Sequence, residues 1–145
     1  MHIAYAYGEF GRWEESGAQF AALFTALNNQ GERPHLALEA LAGHVFAKAG
    51  DRDRAEAILT RLQARLAAGD PDDHIPADMI AILHIGLGQY DDAMACLHQA
   101  YENREQGLVF LSWWPYRDVH ADPRYQDLVR RVFPEQLVWW LGGGG

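Results

Sequence analysis

Seven histidines, one cysteine and a cluster of aspartates are the residues in this 145-residue chain whose types could bind a metal or move a proton. Their spacing speaks against both. No two histidines stand at H-x-x-x-H, and none lies at ligand spacing from Cys96. His98 and Glu102 are one helical turn apart, the separation of an ordinary solvated pair. His84 falls where a helix of this pattern packs against its neighbour, as a hydrogen-bonded core histidine does. Asp70, Asp72, Asp73 and His74 form an acidic loop, without the glycine at six and glutamate at twelve of an EF-hand. The only serines, Ser16 and Ser112, have no nucleophile-elbow context. Gly86-Leu87-Gly88 is no phosphate loop, since no strand precedes it and no Lys-Ser/Thr follows. The pattern predicts a non-catalytic chain with no metal site and no cofactor.

Composition narrows the class further. A formal charge of −8 leaves no basic face for nucleic acid or an anionic membrane. No apolar run approaches the roughly 18 residues of a membrane span. The N-terminal MHIAYAYGEFGRWEESG lacks the basic and apolar regions of a signal peptide. A lone Cys96 excludes an internal disulfide framework and suits a reducing compartment. A single soluble, cytoplasmic domain is expected.

The elements that would carry these residues show themselves in 77–101. Met79, Ile80, Leu83 and Leu87 share one helical face, Gly88 suits a left-handed C-cap, and Tyr90, Ala93, Met94, Leu97, Ala100 and Tyr101 stripe a second helix. Ala93 is small where the two helices cross, and Tyr90 is placed to plug the turn. The middle of the chain repeats this grammar. Leu38, Leu41, Ala42, Val45, Phe46 and Ala49 precede Gly50, and Ala55, Ile58, Leu59, Leu62 and Leu66 follow it. A first copy runs through Gly11, Trp13 and Ser16 to Phe20, Leu23, Phe24 and Leu27. From Gly11 to Gly50 is 39 positions and from Gly50 to Gly88 is 38, with Ser16, Ala55 and Ala93 in step. A period of that size predicts stacked helical hairpins.

Gly43, Phe46, Gly50 and Ala55 in the middle copy, with Gly88, Tyr90, Ala93 and Ala100 in the last, resemble the tetratricopeptide repeat. The period exceeds the family's usual 34 or so, and Ala81 stands where that family has a glycine. The resemblance implies an all-α, right-handed α-α superhelix of about three degenerate hairpins, near 1–30, 34–68 and 77–104, with a C-terminal cap over 105–133 and an apolar, glycine-ended tail at 134–145. Residues 100–104, 108–111 and 122–128 are also similar to a tail found in one bacterial group. There, tetratricopeptide repeats follow a DNA-binding, cyclase or kinase domain. That similarity covers about 36–133, with Trp114-Pro115 in place of the usual Asp-Pro.

Without the family, the cap still makes physical sense. Asp122 is an N-cap, Pro123 a first helical residue, and Tyr125, Leu128, Val129 and Val132 one apolar stripe. Leu108 to Trp114 would be wedged beneath it. Trp139 and Trp140 are adjacent, so a single small contact cannot bury both. Either one stays exposed, or the pair forms a self-association or partner-docking patch that makes a homo-oligomer.

On the family's pattern, the first helix of each hairpin lines a concave face. Its inward residues would be Tyr5, Glu9, Ala40, His44, Lys48, Asp78, Ile82 and Ile85. Only Lys48 could meet a terminal carboxylate, so a hydrophobic helix or extended protein segment is the expected partner. Three functions stay open: a protein-interaction scaffold, the regulatory part of a multidomain signalling protein, and a small ligand-binding protein or enzyme enlisting Tyr5, His44 and Asp78.

Overall fold

A computed structural model describes residues 2–133, and all regular structure among them is helical. Six helices form three hairpins: α1 (His2–Glu9) with α2 (Trp13–Asn29), α3 (Leu36–Lys48) with α4 (Arg52–Ala68), and α5 (Ala77–Gly86) with α6 (Tyr90–Glu102). Two 3-10 helices follow, η1 (Gln106–Phe110) and η2 (Trp114–Val119), and then α7 (Pro123–Val132). Trp139, Trp140 and the rest of 134–145 lie outside the described residues. No described helix is long and apolar enough to cross a membrane.

The hairpin turns share one local solution. Gly50 and Gly88 take φ of +95° and +75°, a region that costs other residues a Cβ clash. The next amide then reaches back five residues: Asp51 N–H donates to the Phe46 carbonyl at 2.8 Å, and Gln89 N–H to that of His84 at 2.9 Å. Five residues beyond each turn glycine, Ser16, Ala55 and Ala93 are wholly buried, which lets the paired helices close. The Ser16 hydroxyl donates to the Ala4 carbonyl at 2.6 Å, so its burial leaves no unmet polar group. Tyr90 does not plug its turn. It is the first residue of α6 and 40% exposed.

Closest approach falls between α3 and α5. A Cβ on Gly43 would stand 2.1 Å from Leu83 Cδ2, and one on Gly86 would stand 2.6 Å from the Cα of His44. Two hydrophobic clusters result. One gathers Phe20, Val45, Phe46, Leu62 and Leu83 from all three hairpins; the other gathers Ile82, Ile85, Leu97, Leu111, Tyr125 and Val129. Leu41 and Cys96 touch both. At the C-terminal end, the Asp122 carboxylate accepts the Arg124 amide at 2.9 Å and Pro123 opens α7, which buries Tyr125, Leu128 and Val129.

Candidate functional site

The residues expected to line an open groove are mostly closed to solvent. Ala40, His44, Asp78, Ile82 and Ile85 are between 0% and 6% exposed. Tyr5 and Lys48 are half-buried, and Glu9 is exposed. The expectation of an open face needs correcting for a physical reason: the chain covers that face itself. Residues 106–119 run back from α6 across α5, α3 and α1 as a strap.

The strap starts at Arg104, the one described non-glycine residue with positive φ, at +55°. Its buried apolar residues are Leu108, Leu111, Trp114, Pro115, Tyr116 and Val119. Leu108 lies in η1, Leu111 just past its end and Trp114 at the start of η2, with Trp113 extended between them, so short three-residue turns rather than an α-helix set their placement. Pro115 then opens η2, where it removes no needed donor.

One end of the strap is an aromatic anchor. The Trp114 ring lies 5.5 Å from Tyr5, 5.8 Å from Trp13 and 5.5 Å from His44, between ring centres. Gly8 makes room for it, since a Cβ there would come within 2.8 Å of the indole. His44 Nδ1 lies 2.9 Å from the Ile82 carbonyl, an acceptor, so that nitrogen carries the proton. Burial pushes the His44 pKa down to about 4, and the ring is neutral at pH 7. Beyond it, Lys48 Nζ donates to Asp118 at 2.5 Å and lies 5.3 Å from the centre of the Trp13 ring. Arg117 donates to the Glu9 carbonyl at 2.9 Å, which ties the strap to the end of α1.

The other end is polar and poorly matched. Asp78 is 1% exposed, in the first turn of α5, with Gly107 laid across it. A Cβ on Gly107 would stand 2.0 Å from Asp78 Oδ2, so a larger residue there requires the carboxyl or the strap to shift. Asp78 Oδ1 has no hydrogen-bond partner among the described residues. Burial pushes its pKa up to about 6, against a hydrogen bond from its own backbone amide; Glu105 adds to the rise and His74 opposes it. His74 Nε2 stands 3.2 Å from Glu105 Oε2, a pair that is charged on both sides only when the histidine is protonated. The Tyr116 hydroxyl is also buried without a partner, its pKa raised by burial and then by Asp78. Nearby, the Tyr125 hydroxyl donates to the Leu111 carbonyl and holds the strap to α7.

No hydrogen bond joins any two of Tyr5, His44 and Asp78, so the trio considered for chemistry is not assembled. His84 Nδ1 lies 2.8 Å from Gln89 Oε1, and His98 with Glu102 forms an exposed pair at 3.6 Å. Both oxygens of Asp73 accept from Arg65, at 2.6 and 2.9 Å. The Cys96 thiol is half-buried, and burial raises its pKa. Gly107, Trp114, Tyr116 and Asp118 hold the strap, and a search at the 3.6-residue period does not mark them. The spacing of Leu108, Leu111 and Trp114 signals the apolar seat that includes Trp114, and no local pattern marks Gly107, Tyr116 or Asp118. No family model, curated protein or solved structure matches this chain.

Proposed function

We propose that this chain is a non-catalytic, tetratricopeptide-like interaction module, a cytoplasmic superhelix capped by α7. Its concave face takes a protein segment in the place its own strap occupies. The observation that carries this is the strap itself, a peptide in 3-10 turns seated across α5, α3 and α1 by Leu108, Leu111 and Trp114. Its fit is imperfect in one respect. The buried side-chain polar atoms without a partner among the described residues are Asp78 Oδ1, Trp114 Nε1, Tyr116 Oη and His120 Nε2. Three belong to 114–120 and the fourth lies beneath the strap. Each unmet group costs about 1–3 kcal/mol; the groups at 114–120 are relieved by water once the strap lifts and Asp78 by a donor on the incoming segment, so such a segment competes well. The partner class is a protein segment with large apolar side chains three residues apart and a small residue over Asp78.

A labelled peptide with the sequence of 105–120 tests this directly. In cis the strap holds an effective concentration near millimolar, so the intact chain is expected to refuse the peptide. A Leu111→Ala/Trp114→Ala variant of unchanged helicity is expected to bind it, and to ignore a scrambled control. A folded variant that takes neither peptide would remove the proposal.

A second function, as the regulatory end of a larger signalling protein, draws on Ile3 and Phe10. They are 60% and 78% exposed, Ile3 on α1 and Phe10 just past its end. That apolar edge suits a neighbouring domain, and Ile3→Ser/Phe10→Ser should then raise solubility without lowering thermal stability.

A further inference from the structure

We propose that Asp78 is a proton-controlled latch on the strap: protonated, it holds residues 106–111 against α5; ionised, it releases them and opens the face to a partner segment. The latch rests on the strap-exchange function above only for its use, since the strap's own motion is measured without a partner.

Geometry argues for it first. Gly107 lies so close to Asp78 that no water layer or side chain separates the strap backbone from the carboxyl. One carboxyl oxygen has no partner, and the hydrogen bond from its own backbone amide does not outweigh the burial of an ionised Asp78 in the closed arrangement. A protonated carboxyl removes the charge and gains an O–H donor. The charges facing it add to this. From the start of the strap comes Glu105, a like charge. From η2 comes the buried Tyr116 hydroxyl, which has no partner of its own. From the loop before α5 comes His74, which opposes Glu105 when protonated. No lysine or arginine is among the groups that act on Asp78. The strap leaves α6 at a defined point: Arg104 stands in the left-handed region and the Glu105 amide donates back to the Ala100 carbonyl at 2.9 Å, so the part that can lift lies beyond this cap.

The size of the effect follows from the proton affinity. A carboxyl that moves from 3.8 to about 6 on closing changes the closed-to-open ratio on the order of a hundredfold across that interval. Acidification through pH 6 therefore closes the strap, and the change is complete near pH 4. The Trp114 end carries its own ionisable groups, His44, Lys48, Asp118 and, through Arg117, the α1 terminus. A readout confined to the Gly107 end keeps them apart.

The experiment is amide hydrogen exchange of 106–111 in the full chain between pH 4 and pH 8. At each pH the rate is divided by that of Asp78→Asn, which cancels the intrinsic pH dependence of exchange. The ratio is expected to rise from near one at pH 4 to tens or a hundredfold above pH 7. A flat ratio overturns the latch. His74→Gln is the second variant: if it, rather than Asp78→Asn, abolishes the pH dependence, the switch is the His74–Glu105 pair and the proposal fails. Should Asp78→Asn not fold, wild-type protection of 106–111 against that of α4 must fall between pH 4 and pH 7, and constant protection refutes the latch. A pH-dependent strap that never yields to the 105–120 peptide, even in the Leu111→Ala/Trp114→Ala variant, would overturn the interaction function and leave the latch standing.

Discussion

His44 and Asp78 sit on the same covered face, each about 1% exposed, and bury polarity in opposite ways. His44 gives its ring proton to the Ile82 carbonyl and packs against Trp13 and Trp114, so its neutral form is fully accommodated. Asp78 lies under Gly107 with one oxygen unpartnered and Glu105 nearby. The Trp114 end of the strap is therefore an anchor, and the Gly107 end is where it can lift. Burial alone does not say which polar residue holds a structure and which one strains it. Partner accounting does.

The largest expected effect comes from cutting the anchor. Trp114→Ala removes an indole that is 5% exposed and should cost about 3–5 kcal/mol in urea denaturation. A loss below about 1 kcal/mol would mean that the Trp114 end does not hold the strap.

The pH responses of the two ends oppose each other. His44, depressed from 6.5 to about 4 in the folded chain, contributes stability that is present above 6.5 and lost as pH falls through about 4. Asp78, raised from 3.8 to about 6, contributes stability that is present below 3.8 and lost as pH rises through about 6. Each is worth at most about 3 kcal/mol. Wild-type stability should thus be nearly level between pH 4 and pH 6.5. Asp78→Asn should lose stability on acidification through that range, and His44→Gln should gain it. Slopes of the same sign in both variants would break the comparison. Asp73 and Asp122, lowered by Arg65 and Arg124, act below this window.

Gly107→Ala comes next. Its new methyl meets Asp78, and lifting the strap there should cost about 1–3 kcal/mol. Exchange at 106–111 should quicken while Trp114 stays buried, a split that only two independent ends allow. Smallest is Lys48→Ala, which removes a partly exposed ion pair with Asp118 and should cost about 0.2–1 kcal/mol, less at high salt.

Much of the hairpin framework was legible because its causes are local. A glycine that must adopt positive φ, and a small residue five positions later, announce themselves within one turn, as at Gly50 with Ala55 and Gly88 with Ala93. Asp122 and Pro123 announce α7 in the same way. The strap was not legible in this sense. Its residues are buried by partners far along the chain, Asp118 with Lys48 across 70 positions and Arg117 with Glu9 across 108. Local pattern carries no trace of such distances. Nor does the helical period help, because the strap's buried residues sit on two short 3-10 helices separated by the extended Trp113. Tyr90 misleads for the reverse reason: an aromatic ring at a turn reads as a plug, and only tertiary geometry leaves it exposed.

The bond from Arg117 to Glu9 has one more consequence. Hairpins stacked in a line meet only their neighbours, so such an array can fray from either end. Here the chain doubles back and fastens its far end to its first helix, which turns a line into a closed circuit. Unravelling α1 and α2 first requires the strap to let go, so the whole chain should melt in one transition. In Trp114→Ala the circuit is open, and the first hairpin should melt ahead of the rest.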